Sequence, residues 1–95
     1  MEIKIPHEVI IDTRMTYQQR IILMILMSEC QMQKKDSIEI SLKEFKSIYG
    51  IDKSRFRVGI EGLKELGYVE QIKEINDKGT FYTSEYKLLK YANLI

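Results

Sequence analysis

Tryptophan is absent from these 95 residues, and cysteine, histidine and proline occur once each. The single thiol, Cys30, excludes an intrachain disulfide and fits a reducing, intracellular setting, so a cytoplasmic protein is expected. With His7 the only histidine, far from Cys30 in the chain, a four-ligand structural zinc site is not expected, nor is any other metal or cofactor. One histidine also supports no Ser-His-Asp triad at a defensible spacing, and no phosphate-binding glycine loop of the Walker type occurs; the chain does not read as an enzyme. The longest apolar run, Ile21 to Met27, falls far short of the roughly 20 residues that span a bilayer. The N-terminus lacks the basic-then-apolar order of a signal peptide. Nor is there an excess of one charge: 15 Lys and Arg face 14 Asp and Glu, for a formal net charge of +1. That balance argues against holding nucleic acid by bulk charge alone; any such site must come from local patterning.

What is present is an ordinary globular composition, 44% hydrophobic and 31% charged, which excludes a disordered chain. The length allows one domain, residues 1–95, able to bury about 65% of its extended-chain surface. Residues 1–15 mix strand and turn signals, with Pro6 suited to the first turn of a short helix. Thr16-Tyr-Gln-Gln19 reads as a capping box, predicting a helix from Tyr17 to about Gln31. Its seven consecutive apolar residues cover every face, so it should be buried on most sides, with Met24, Met27 and Met32 as core filler and Cys30 as a small buried hydrophobe. His7 reads as a surface or cap residue.

Ile38-Glu-Ile40 alternates as a short strand. Ser41-Leu-Lys-Glu44 is a second capping box, opening a helix at Leu42 whose inner face is Leu42, Phe45, Ile48 and Tyr49 and whose stop is Gly50. Asp52 caps a third helix from Lys53 to about Leu66, with Phe56, Ile60, Leu63 and Leu66 at helical spacing and Gly67 beyond. Tyr68 to Ile75 alternates as a strand, Val69 on one face and Tyr68 and Ile72 on the other. Glu70 and Glu74 lie together on one face of that strand and read as solvated surface. A polar turn ending at Gly79 and a returning strand from Thr80 to about Leu88 complete a hairpin. The tail 89–95 is too apolar to be left in solvent. The divisions are an N-terminal segment 1–15, a helical core 16–67, a hairpin 68–88 and a docking tail 89–95.

Function is carried by the centre of the chain. Two short helices joined by Tyr49-Gly-Ile-Asp52 have the form of a helix-turn-helix. Residues 1–40 carry 5 basic and 6 acidic side chains, residues 41–67 carry 6 and 4, and residues 68–95 carry 4 and 4. The positive excess falls where a recognition helix would enter the major groove, with Lys53, Arg55 and Arg57 uncompensated between residues 53 and 58. The bland reading of the same triad is a solvated helix face.

The stretch Ser41 to Val69, with Leu63-Lys-Glu-Leu-Gly-Tyr-Val69 at its end, resembles the winged-helix DNA-binding domain. The opening Ile5-Pro to Arg20 resembles the narrower group found at the front of phage and plasmid replication initiators and related mobile-element proteins. The resemblance implies an α+β fold: a small winged helix-turn-helix, with a three-helix core, a short strand and a C-terminal β-hairpin wing. It implies sequence-specific binding of double-stranded DNA, in replication initiation or transcription regulation. By that resemblance Lys53, Ser54, Arg55, Arg57 and Val58 face DNA, with Glu61 one turn on. Arg55 and Arg57 suit guanine edges, and Lys53 and Ser54 suit phosphate. Ser41 and Lys43 suit the backbone, and Lys78 and Thr80 sit at the wing tip. Glu61, and Asp77 beside Lys78, depart from a purely basic surface.

Gly59 and Gly62 inside the third helix each cost about 1 kcal/mol relative to Ala. A crossing by the preceding helix would account for Gly59, whereas Gly62 has no evident reason. Their GXXG spacing is that of a KH loop, but its place in mid-helix favours packing. An alternative reading is a winged helix that binds protein, inhibiting or recruiting a host or replication factor; near-neutral charge and Glu61 favour it. The first long helix and the tail either form a homodimer surface or pack together within one monomer. An end at Leu94-Ile95 is compatible with a whole chain or with the front of a longer initiator.

Overall fold

Thr16 decides where the first long helix begins. In the computed structural model, which describes residues 2–77 and 81–95 and the side chains of 2–72 and 83–95, the capping box forms in full. The Gln19 amide donates to Thr16 Oγ1 at 3.2 Å, and the Thr16 amide donates to Gln19 Oε1 at 3.0 Å. This helix, α2, spans Tyr17–Gln33 and ends on Lys34 in the left-handed region, two residues beyond the expected stop. It is preceded by a short helix, α1, at His7–Ile11, with Pro6 as its extended N-cap, one position before the first turn expected for it. The domain is therefore α+β with four helices and a three-stranded antiparallel sheet among the described residues, one helix more than expected.

Strand β1, Ser37–Ser41, leads directly into α3, Leu42–Tyr49. Only half of the expected box forms there: the Glu44 amide donates to Ser41 Oγ at 3.5 Å. Gly50 stops α3 at φ +70°, a conformation that Cβ-bearing residues rarely adopt. Asp52 then caps α4, Lys53–Glu65, accepting from the Arg55 amide at 2.9 Å. Beyond Gly67, β2 (Val69–Asp77) pairs with β3 (Phe81–Leu88), and β3 pairs with β1, giving the order β1-β3-β2. The register runs from Ser37↔Lys87 to Ser41↔Thr83 on one side and from Val69↔Leu88 to Asp77↔Phe81 on the other.

The expected facing of β2 holds for Val69 and Ile72 and fails for Tyr68, and a bulge falls farther along, between Gln71 and Lys73. Tyr68, just before the strand, and Val69 are both buried, and Ile72 is exposed. A strand can turn neighbours to opposite faces only while it is regular, and Tyr68 lies outside the ladder. The core joins Val9, Ile22, Leu23, Leu26, Met27, Phe56 and Leu63, with an aromatic chain running across it. Phe45 meets Phe56 at 4.9 Å between centroids, and Phe56 meets Tyr86 at 5.7 Å, so α3, α4 and β3 share one cluster. Cys30 is buried, and its burial pushes the thiol up to about 11. Ile48, assigned to the inner face of α3, is exposed; Leu42, Phe45 and Tyr49 carry that face.

Helix α2 is not buried on most sides. Met27 is core, but Met24 and Met32, expected there too, are exposed along with Tyr17 and Ile21. The glycines of α4 mark where α2 crosses it, in place of the crossing by the preceding helix. A Cβ on Gly59 would collide with Ile22 Cδ1, and one on Gly62 with the Gln19 side-chain amide. Gly62 thus has its reason: the residue that completes the α2 cap lies against it. In the tail, Tyr91 and Leu94 pack on the core and Ala92–Leu94 forms one 3-10 turn, whereas Leu89 and Ile95 are exposed. No helix among the described residues is long and apolar enough to cross a membrane.

Candidate nucleic-acid interface

At about 100° per residue, Phe56, Gly59, Ile60 and Leu63 define the buried arc of α4. The opposite arc is centred on Ser54, Val58, Glu61 and Glu65, all exposed. Lys53 and Arg57 lie on one flank of it and Arg55 on the other, about 160° from Arg57 around the helix. The expected basic triad is thus exposed at the front of α4, but it is split between two flanks.

The flanks differ in surroundings. Arg55 lies on the line of Gly59 and Gly62, toward α2, and its Nε is 3.9 Å from Asp52 Oδ2, an exposed pair of little energetic weight. Arg57 and Glu61 line a cleft of about 190 Å³ between α4 and the sheet, floored by Leu42, Phe56, Gln71, Ser84 and Tyr86. A polar chain runs along it. Lys64 Nζ donates to Glu61 Oε1 at 2.7 Å and to Gln71 Oε1 at 3.4 Å, and Gln71 Nε2 donates to Ser84 Oγ at 3.1 Å. Lys64 thereby offsets the charge of Glu61 and ties α4 to β2 and β3. Sequence reasoning missed Lys64, Gln71 and Ser84, because their meeting depends on a strand register that no local pattern declares.

Ser41 caps α3 and lines a different cleft, about 150 Å³, between α2, β1 and α3, so it is not brought together with Arg57. In that cleft Tyr49 Oη donates to Glu29 Oε1 at 2.6 Å; burial first, then Glu29, pushes the phenol up to about 12. Lys43 is exposed on α3. Lys78 and Thr80 lie outside the described residues. His7 is exposed on α1, as a surface or cap residue would be.

A second polar cluster, unforeseen in the sequence, fastens the N-terminal segment. Asp12 accepts from Arg14 Nη2 at 2.7 Å and from Tyr68 Oη at 2.6 Å. The Arg14 hydrogen bond, then that of Tyr68, holds the Asp12 carboxyl well below the usual carboxylate range. Burial, then Asp12, pushes the Tyr68 phenol up to about 12. Lys90 Nζ sits 4.6 Å over the Tyr68 ring, whose other neighbour, Tyr91, stacks at 6.5 Å. Among the described residues no group of three His, Cys, Asp or Glu is arranged to hold a metal ion.

Chemically, the α4 surface offers a guanidinium on each flank of an arc of Ser54, Val58, Glu61 and Glu65, with the Lys53 ammonium on the Arg57 side, the first turn of a capped helix, and an adjoining cleft edged by amide and hydroxyl groups. That set suits hydrogen bonding to anionic and polar edges. Comparison with family models, with curated proteins and with solved structures finds no match to this chain.

Proposed function

We propose that the chain is a winged-helix domain that binds double-stranded DNA sequence-specifically, with the front of α4 in the major groove and the β2–β3 hairpin as the wing. The observation that carries this reading is the exposure of Lys53, Ser54, Arg55, Arg57 and Val58 on one capped helix that follows α3 through the Gly50 turn. The element order and the pairing of β1 with the returning strand of the hairpin, β3, support it. Arg57, beside the cleft to the sheet, is the base-reading candidate, and Arg55, on the α2 flank, suits the opposite groove wall. A role in replication initiation or transcription control of a phage, plasmid or other mobile element follows from the resemblance of residues 5–20.

A second reading has one observation in its favour: the middle of the exposed arc is Val58, Glu61 and Glu65, apolar and acidic where a phosphate-facing helix would be basic. In that reading the same face docks on a protein. Selection of bound sequences from a random duplex pool separates the two. Enrichment of a short common sequence is expected, and recovery of an unbiased pool would overturn sequence-specific binding.

A further inference from the structure

The exposed side of α2 is a feature that DNA binding leaves unused. Tyr17 is 81% exposed, Ile21 50%, Met24 36% and Met32 47%, with Ser28 and Ile25 partly open between them. At about 100° per residue these six fall within one arc of roughly 100°, along a helix about 25 Å long. The arc carries no formal charge. Its borders are fixed. On one side the Gln31 side chain bonds both backbone groups of Lys4, at 2.8 and 2.7 Å, and Arg20 donates to the carbonyls of Val9 and Asp12, at 3.1 and 2.7 Å. On the other side Glu29 is held by Tyr49. The tail does not cover the stripe: its Tyr91 is stacked on Tyr68.

We infer that this stripe is the interface of an isologous dimer in which two α2 helices pack antiparallel about a two-fold axis between Met24 and Ile25. The spacing is self-complementary under that operation. Tyr17 meets Met32 of a second copy, Ile21 meets Ser28, and Met24 meets Ile25, each pair of numbers having the same sum. An uncharged face suits a second copy of itself, since a two-fold axis would set any charge near it against its own image. The exposed apolar side chains offer on the order of 400–500 Å² per protomer, about 1,000 Å² for the pair, at the lower edge of specific interfaces. That area fits a concentration-dependent dimer. The stripe lies about 140° around α2 from the Ile22 and Gln19 side that meets α4, so pairing leaves α4 open. The inference stands without the DNA reading, and its test uses no DNA.

Sedimentation equilibrium between micromolar and several hundred micromolar protein should show monomer passing to dimer. Ile21→Glu with Met24→Glu places four carboxylates near the axis and should weaken association on the order of 100-fold. Ile72→Glu, exposed on β2, should not change it. Orientation is read by mild oxidation. Met24→Cys, near the axis, should form a disulfide-linked dimer and Tyr17→Cys should not, because the antiparallel ends lie about 22 Å apart. Buried Cys30 stays unreactive in this assay. A chain that remains monomeric at several hundred micromolar, or a double variant that still dimerises, would overturn the interface. Cross-linking through Tyr17→Cys would overturn its antiparallel form.

Discussion

Placing a methyl group at Gly59 measures how tightly α2 and α4 are locked. In isolation, Gly→Ala in a helix interior stabilises by about 1 kcal/mol. Here the new Cβ would fall on Ile22 Cδ1, with the Gln18 carbonyl oxygen at 3.8 Å as the next backbone neighbour. Ile22 is fully buried in the core, so its terminal methyl has no open space to enter. Overpacking of that kind costs about 1–3 kcal/mol. The difference is a net loss of about 1 kcal/mol, a fall in Tm of roughly 4–8 °C for a domain of this size. At Gly62 the obstacle is the half-buried Gln19 amide, which can swing outward at the expense of its bond to the Thr16 amide, worth about 0.5–1 kcal/mol. Helix propensity offsets that, so Gly62→Ala should lie within about 0.5 kcal/mol of the parent. Urea and thermal unfolding of the two variants read both values. Ile22→Val removes Cδ1 itself, and in that background Gly59→Ala should become neutral or stabilising. A Gly59→Ala variant as stable as the parent, or a larger loss at Gly62 than at Gly59, would refute the crossing geometry.

Two further outcomes follow from the α4 cap and the half-buried Asp12 carboxylate. Asp12 has a folded pKa below its unfolded value, so its contribution is present above about pH 4 and is lost as pH falls below that range. Asp12→Asn should therefore lower the urea midpoint at neutral pH and flatten its decline between pH 4 and 2; an unchanged acid limb would count against the Arg14–Asp12–Tyr68 cluster. Asp52→Ala should cost about 1 kcal/mol by removing the α4 cap, seen as a lower Tm with α4 amides exchanging faster; no change would place the start of α4 elsewhere.

Local chemistry was legible in the sequence, and surroundings were not. Thr16 with Gln19, Asp52, and Gly50 each announce a helix end through one side chain or one φ value, and each sits where expected. The seven apolar residues from Ile21 to Met27 are different. A run that covers every face says nothing about which face the rest of the chain will leave open, and the open one proved to hold Ile21 and Met24. Ile48 matched the periodicity of α3, yet an eight-residue helix at the edge of the core buries only a narrow strip. Gly62 has no local explanation because its partner, Gln19, lies across the α2–α4 crossing. Asp12 and Tyr68 are 56 residues apart, and no pattern at either position signals the other. In the candidate site the exposure of the basic residues was readable from helical spacing. Their division onto two flanks was readable too, once Arg55 and Arg57 were placed on a helix of known phase. The Lys64–Gln71–Ser84 chain required the bulged register of β2 on β3.

The central claim, that the front of α4 binds DNA, is tested most directly by the salt dependence of duplex affinity for the parent and for Arg57→Ala. Each phosphate contact contributes about −0.9 to the slope of log K against log salt. With net charge +1 and few cations on α4, the account predicts a slope of about −3 to −4 per protomer. It predicts weaker binding with nearly the parent's slope for Arg57→Ala, since a base-reading side chain carries specificity and not counterion release. A slope near zero for the parent, or an Arg57→Ala variant that binds a selected site as the parent does, would contradict it.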